Sequence, residues 1–360
     1  MPVQKSLLKA AKHLLQTVIS ILITPAIALA IVATVSLILI TFLPCYLAVA
    51  ALAKVIRPEL ICPVFGDSVM FTTGLPENCK GNLTHLVPLD GNMSTETLCQ
   101  LFIQRVVNRL GDDQKGNFMF YRYRYTWTHF LGYNFWQPEA DFRAEEHVRE
   151  YDLDGDLCLP YPRHEKAVLS KYGALAAQPW KPGISPWEFL VIQDYRTESE
   201  PEVPRTAMLL RHHHALVDGY GIASVIREFS GCPYTMPGIN MKLSFIAKLW
   251  AYTRIPYDIS TWLANSLFPC CSPQKAATQW PAPSQAMGAL EIQFSEPINV
   301  QAIKIIKDRL GVSFLAVNLA LLTGALKRML DEEGLEDSCQ VPIIFPVPKS
   351  DHPGGTNVQL

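Results

Sequence analysis

The first 57 residues show one pattern. From Leu14 to Ala53 no position is charged, a run about twice the ~20 residues that a helix needs to cross a bilayer. Lys5, Lys9, Lys12 and His13 precede it, and Lys54 and Arg57 follow it. The run is too long for the apolar core of a signal peptide, and its Ala-rich tail lacks a clear cleavage site. Two shapes fit: one long tilted span, or a helical hairpin that enters and leaves on the same face. Pro25 and Pro44 would bend or break helices, and positive charge on both flanks places both ends on one side. The sequence therefore predicts a membrane anchor over 1–57, with the hairpin slightly ahead.

Beyond the anchor the pattern alternates between helix and strand. Residues 58–95 are rich in Pro, Gly, Asn and Thr and read as loops with short strands. Ser94 caps a helix carrying Glu96 in its first turn, with Leu98, Leu101, Phe102, Val106 and Leu110 at helical spacing. Phe118 to Trp127 suits a strand, with Arg122 and Arg124 on a solvated face. Apolar runs at Trp187–Gln193 and Thr206–Leu210 read as strands, followed by a helix through Ile222, Val225 and Ile226. Residues 242–272 fit either interfacial helices, with Cys270-Cys271 placed for palmitoylation, or ordinary core helices. After a linker at 273–288, strands are expected at Leu290–Phe294 and Val341–Val347. Helices are expected near 300–310 and after Ser313. The alternation is α/β with mixed sheets. It divides into an anchor at 1–57, a first half at 58–235, a crossover at 236–288 and the start of a second half at 289–360.

Composition narrows the function classes. A net charge of -2 offers no basic face, so nucleic acid is not an expected partner. The nine cysteines are odd in number, irregularly spaced and without a C-x-x-C pair, which points to reduced thiols rather than a structural zinc site or disulfide framework. Two glycosylation sequons, at Asn82 and Asn92, would matter only in a lumen.

The distinctive chemistry is Arg211-His212-His213-His214-Ala215-Leu216-Val217-Asp218-Gly219. Histidine is suited to general-base catalysis, because a neutral imidazole can take a proton from an alcohol attacking a carbonyl. Neighbouring strand side chains point to opposite faces, so His213 and His214 cannot both face one substrate. Metal binding and a purely structural histidine patch compete with that reading. No second Cys/His cluster completes a metal set, so no metal is expected.

His213-His214-x-x-x-Asp218-Gly219 is the H-H-x-x-x-D-G pattern of CoA-dependent acyltransferases of chloramphenicol-acetyltransferase-like fold. Its flanks resemble the wax ester synthase/diacylglycerol acyltransferase family. Pro186-Trp187-Glu188 is similar to that family's P-L-W-E segment. Trp136, Asp141-Phe142 and His147-Val148 resemble its W…F-D…H-V stretch, and Leu159-Pro160-Tyr161-Pro162 its L-P-x-P turn. Leu310-Gly311-Val312-Ser313 through Gly324-Ala325-Leu326-Lys327 and Phe345-Pro346-Val347 resemble later segments. The family's Asn-Asp pair falls at Leu315-Ala316 here, and Leu360 stands where the second half would continue.

The resemblance implies an acyltransferase domain with an incomplete second half. His214 would be the general base and His213 its support. Asp218 would hold the turn through a buried ion pair. Gly219 and Trp187 would line the substrate site, and Pro186 and Glu188 would be structural. Acyl-CoA would be the co-substrate, with no bound cofactor, and the acceptor a fatty alcohol or diacylglycerol in the bilayer. The expected setting is the endoplasmic reticulum or plasma membrane with the domain facing the cytosol. Two alternatives stay open. One is a glycerolipid acyltransferase using His213-x4-Asp218. The other is a membrane-anchored pseudoenzyme or lipid-binding module.

Overall fold

A computed structural model describes residues 2–64, 68–72, 74–77, 81–111, 117–232, 244–250, 292 and 298–332, with side chains from Leu29 onward except Met70. The chain divides into two compact units. One comprises Met1–Ile31, Phe245–Gly288 and Gln293–Phe345; the other comprises Val32–Ser244, Ala289–Ile292 and Pro346–Leu360.

Helix α1 runs from Pro2 to Ile56 without a break. The expected hairpin is therefore not formed. An interior proline removes one backbone hydrogen bond and crowds the preceding turn, but the remaining ladder of an apolar run this long can carry that loss. Around Pro44 the side chains add local bonds: Thr41 Oγ1 donates to the Leu37 carbonyl at 2.8 Å, and Cys45 Sγ to the Thr41 carbonyl at 3.5 Å. Leu29–Ile56, 28 residues with a mean hydropathy of 2.4, is long and apolar enough to cross a membrane, and its most apolar stretch of 18 residues has none buried.

The end of α1 is held by a small three-stranded sheet, in the order β1 (Cys62–Pro63), β4 (Tyr133–Pro138), β3 (Tyr125–Phe130). A short helix α2 (Ser68–Phe71) follows β1. Ala53, Leu60 and Phe135 form a buried cluster, with Val49, Phe130 and Tyr133 packed against it. Hairpin β3–β4 turns through only Leu131 and Gly132, at φ 48° and 84°. Such turns suit the right-handed strand twist but require positive φ at both positions, which favours Asn-Gly. A leucine there carries backbone strain. Leu131→Gly is therefore expected to raise thermal stability by about 1 kcal/mol, measured as a higher Tm of the purified chain.

The larger sheet positions the candidate site. Its order is β2 (Asn82–Pro88), β8 (Arg205–His213), β7 (Trp187–Arg196), β5 (Val148–Glu150), and β6 (Arg163–His164) also pairs with β7. Strand β8 lies antiparallel to both neighbours, while β5 and β6 run parallel to β7. Both faces are covered, which is why β7 and β8 read as nearly unbroken apolar runs.

On one face Phe189, Val191, Met208 and Leu210 join Leu98, Phe102 and Val106, from helix α3 (Thr95–Phe102) and its π-helical continuation Ile103–Val107. Val225 and Phe229 of α6 (Gly219–Ser230) complete that layer. On the other face Leu190, Ile192, Ala207 and Leu209 meet Val168 and Leu175 of α5 (Glu165–Ala176). The short α4 (Ala144–His147) leads directly into β5. The fold is mixed α/β, as the alternating pattern implied.

Ser94 caps α3 as expected, accepting from Thr97 N–H at 3.2 Å. The aromatic stretch differs. Tyr121–Arg124 is a 3₁₀ turn and the strand begins at Tyr125. Its arginines are not on a solvated strand face. Arg122 lies over the Trp136 ring at 5.2 Å and donates to Ser68 Oγ, while Arg124 stacks on Phe118 at 4.1 Å. Alternation with aromatics makes such arginines packing partners, since a guanidinium is weakly hydrated and stacks well.

In the other unit, α7 (Val300–Leu310) and α8 (Phe314–Glu332) match the two helices expected there. Gly311, at φ 63°, ends α7, and Ser313 Oγ accepts from Ala316 N–H at the start of α8. The two axes meet at 107°. The strands expected at Leu290–Phe294 and Val341–Val347 lie outside the described residues, apart from 292. So do most of the 242–272 segment and Cys270-Cys271.

Candidate active site

The three histidines stand at the end of β8, and each meets a different neighbour. Two backbone clamps fix the strand end: His213 N–H donates to the Pro186 carbonyl at 2.9 Å, and His214 N–H to the Gly81 carbonyl at 2.8 Å.

His212 is fully buried and stacks on His85, with centroids 5.3 Å apart. Neither of its ring nitrogens has a hydrogen-bond partner. Burial, with added repulsion from His85, His214 and His213, holds its pKa well below 6.5. A buried polar group without partners costs stability. Because the folded pKa is depressed, stability is constant above the unfolded pKa of about 6.5 and is lost as pH falls through that value. His212→Leu is expected to flatten the loss of Tm between pH 7 and pH 5, as followed by thermal melts.

His213 is also buried, at 1% exposure. Its Nδ1 accepts from Ala215 N–H at 3.2 Å, and its ring meets Trp127 edge-on at 4.8 Å. A Cβ added at Gly81 would stand 3.2 Å from His213 Cε1, and Gly81 has φ 91°. Only glycine meets both demands easily. Gly81→Ala is expected to destabilise the chain by about 1–3 kcal/mol and to disturb the His213–His214 clamp, read as a lowered Tm together with reduced activity.

His214 differs from both. It lies just past the strand, half-buried, with its ring stacked on Phe71 at 3.9 Å and 6°. Its Nδ1 has no hydrogen-bond partner among the described residues. Burial lowers its pKa below 6.5, opposed by its own backbone and by the charge of Asp218. The ring is therefore a neutral imidazole at neutral pH, able to take a proton.

Asp218 is buried and caps α6, accepting from Gly221 N–H at 2.8 Å through Oδ1. This is the N-cap geometry that satisfies an otherwise free helix donor. It gives the aspartate a defined task in shaping the turn. Gly219 is exposed, and among the described residues nothing lies within 4 Å of an added Cβ there. Packing among the described residues does not require a glycine at that position, and they leave the space beside the start of α6 open.

The neighbouring Trp187 and Glu188 pair with His212 and Arg211 in the sheet but serve the core. Trp187 is 1% exposed, donates through Nε1 to the Tyr123 carbonyl at 2.7 Å and stacks on Tyr123 and His147. The expectation that it lines the substrate site is therefore corrected: a large ring at a strand start was drawn into the layer between sheet and helices. Glu188 is held between two arginines. It binds Arg211 at 2.7 Å and Arg149 at 3.2 Å, and Arg211 lies over Trp180.

His147 joins two layers of this scaffold. Its Nδ1 is 2.9 Å from the Trp187 carbonyl and its Nε2 is 3.1 Å from Glu139 Oε1. Glu139 Oε2 accepts from Ser185 N–H at 2.7 Å, one residue before Pro186. Both members of the pair are buried.

Gly81, Phe71 and Glu139 were not marked by the sequence pattern. Gly81 carries a local signal, a glycine at the start of an alternating strand, but its partner is more than a hundred residues away. The sequon at Asn82 is occupied by structure: the side chain donates to the Ala176 carbonyl at 2.9 Å and accepts from Trp180 Nε1 at 2.7 Å.

Residues 82–232 match the family described as wax ester synthase/diacylglycerol acyltransferase catalytic domain. Two curated relatives, each named a putative diacylglycerol O-acyltransferase, come from Mycobacterium tuberculosis strains CDC 1551 and H37Rv. Each is 25% identical over 249 residues, covering 62% of this chain and 47% of its own length. The chain thus spans about half the length of these relatives. Among solved structures, the wax ester synthase/diacylglycerol acyltransferase from Marinobacter aquaeolei VT8 aligns at 16% identity and TM-score 0.41, over 76% of this chain and 62% of that one. The first condensation domain of the CDA synthetase aligns at 14% identity and TM-score 0.38, over 70% and 57%.

Proposed function

From the match of residues 82–232 to the wax ester synthase/diacylglycerol acyltransferase catalytic domain, we propose that the chain belongs to that family and that His214 is the general base of an acyl-CoA-dependent O-acyltransfer. The observation that carries this reading is the contrast among the three histidines. His212 and His213 are enclosed and committed to the fold, while His214 keeps a neutral, partly open ring beside the open start of α6.

In this reading the His214 ring takes the hydroxyl proton as the acceptor oxygen attacks the thioester carbonyl carbon. The C–S bond then breaks, and the departing CoA sulfur receives that proton back from His214. An ester and free CoA result, with the imidazole neutral again. Asp218 keeps the turn in shape and Gly219 leaves room for the thioester arm. The donor is a long-chain acyl-CoA, and the acceptor a fatty alcohol or diacylglycerol. Helix α1 anchors the chain in the membrane where those acceptors reside, with the domain on the cytosolic side of the endoplasmic reticulum.

The glycerolipid-acyltransferase arrangement would need His213 to meet the acceptor. Its burial and the commitment of Nδ1 to Ala215 N–H count against that. Labelled acyl-CoA and either acceptor, supplied to membranes carrying the chain, test the choice. Loss of ester with His214→Ala supports the proposal. Retention with His214→Ala but loss with His213→Ala would favour the alternative.

A further inference from the structure

The tip of the β3–β4 hairpin is anomalous in two respects. Leu131 occupies a left-handed backbone position at φ 48°, where asparagine or glycine is usual, and its side chain is 58% exposed. Its apolar side chain is thus mostly left to solvent at a position that strains the backbone. Strain of this kind usually has a use outside local folding.

The surroundings indicate the use. The hairpin lies along the end of α1, and the order of contacts gives its direction. Tyr46 meets Tyr133 at the tip, with ring centroids 5.6 Å apart, while Ala53, further along the helix, packs with Phe135 further from the tip. The tip therefore faces the part of α1 that precedes Tyr46. That part carries Leu37, Leu39, Ile40, Phe42 and Leu43, all exposed. The uncharged run ends at Ala53, with Lys54 and Arg57 after it, and Tyr46 lies about two helical turns before that charged end. Tyr46 and Tyr133 then stand at the interface, the usual depth of tyrosine in membranes. Leu131 reaches the same level from the hairpin side.

We propose that the hairpin tip, Phe130 to Tyr133, is a second lipid contact that seats on the bilayer surface beside α1. It would fix the tilt of the sheet domain against the membrane, which a single helix end leaves free to rotate. This rests on the reading of α1 as an anchor, so the test must separate the two.

An environment-sensitive fluorescent amino acid is placed at position 131 of the full chain, and separately at position 39. Each protein is reconstituted in phosphatidylcholine vesicles carrying nitroxide lipids labelled near the headgroup or deep in the acyl chain. The expected result is severalfold stronger quenching of position 131 by the shallow nitroxide than by aqueous iodide, and of position 39 by the deep one. Deep quenching at 39 with full iodide access at 131 overturns the hairpin contact and leaves the anchor standing. No nitroxide quenching at either position overturns both. Because the reporter could disturb the turn, a second pair carries it at the exposed His129, with and without Leu131→Gly. Glycine suits the turn, so the fold is kept, and shallow quenching at 129 should fall severalfold. Unchanged quenching would overturn the role given to Leu131.

Discussion

His214→Ala is expected to lower ester formation by about 10²–10⁴-fold, the span that a positioned general base contributes. The loss should appear mainly in kcat, because in the proposed role the ring would act on the reacting hydroxyl and not on the distant parts of either substrate. Stability should change little. The ring is half-buried, its Nδ1 is unpartnered, and the clamp to Gly81 uses its backbone N–H, which alanine retains. The pH profile follows from the same geometry. Burial lowers the His214 pKa, so the base form persists below the ordinary histidine value. The acid limb of kcat/KM should therefore have its midpoint under pH 6.5, and activity should be flat from there through neutrality.

His147→Ala acts on the fold instead. The ring fills the space against Trp187, at 4.5 Å between centroids, and bridges Glu139 to the Trp187 carbonyl. Its removal leaves Glu139 Oε1 and the Trp187 carbonyl without that hydrogen-bond partner and opens a cavity beside the indole. Leaving a buried polar group unsatisfied costs about 1–3 kcal/mol, and the cavity adds to it, against an ordinary domain stability of about 5–15 kcal/mol. Chemical denaturation should show the loss as a lower midpoint. Glu139→Gln should cost less than His147→Ala, since the amide keeps an oxygen for the Ser185 N–H and opens no cavity. Equal stability of His147→Ala and the parent chain would remove the strut role.

The elements of the sheet domain were readable where local pattern decides them. Ser94 and Glu96 mark the start of α3, and the runs before Gln193 and Leu210 become β7 and β8 because both faces of that sheet are covered. The histidine cluster and its following Asp-Gly were readable because the residue types and spacing are themselves the signal. What the pattern did not carry is set by distant partners. Trp187 looked like a substrate wall and is a core ring, since nothing local shows that Tyr123 and His147 will enclose it. Gly81 and Phe71 approach the histidines only after β2 pairs with β8. The shape of the N-terminal apolar run departs from the expected hairpin for a related reason. Prolines 25 and 44 are local breakers, yet the helix continues through both, because a long apolar run outweighs single missing hydrogen bonds. The tight turn at Leu131-Gly132 was likewise hidden, because its leucine gives no turn signal.

The assignment of His214 as the base is tested most directly by one comparison. Full-length chain and a His214→Gln variant are placed in membranes, matched for amount and for thermal stability, and given radiolabelled long-chain acyl-CoA with a fatty alcohol and with diacylglycerol in turn. The expected result is labelled wax ester or triacylglycerol from the parent chain and none above background from the variant. Equal ester yield from the two proteins would contradict it.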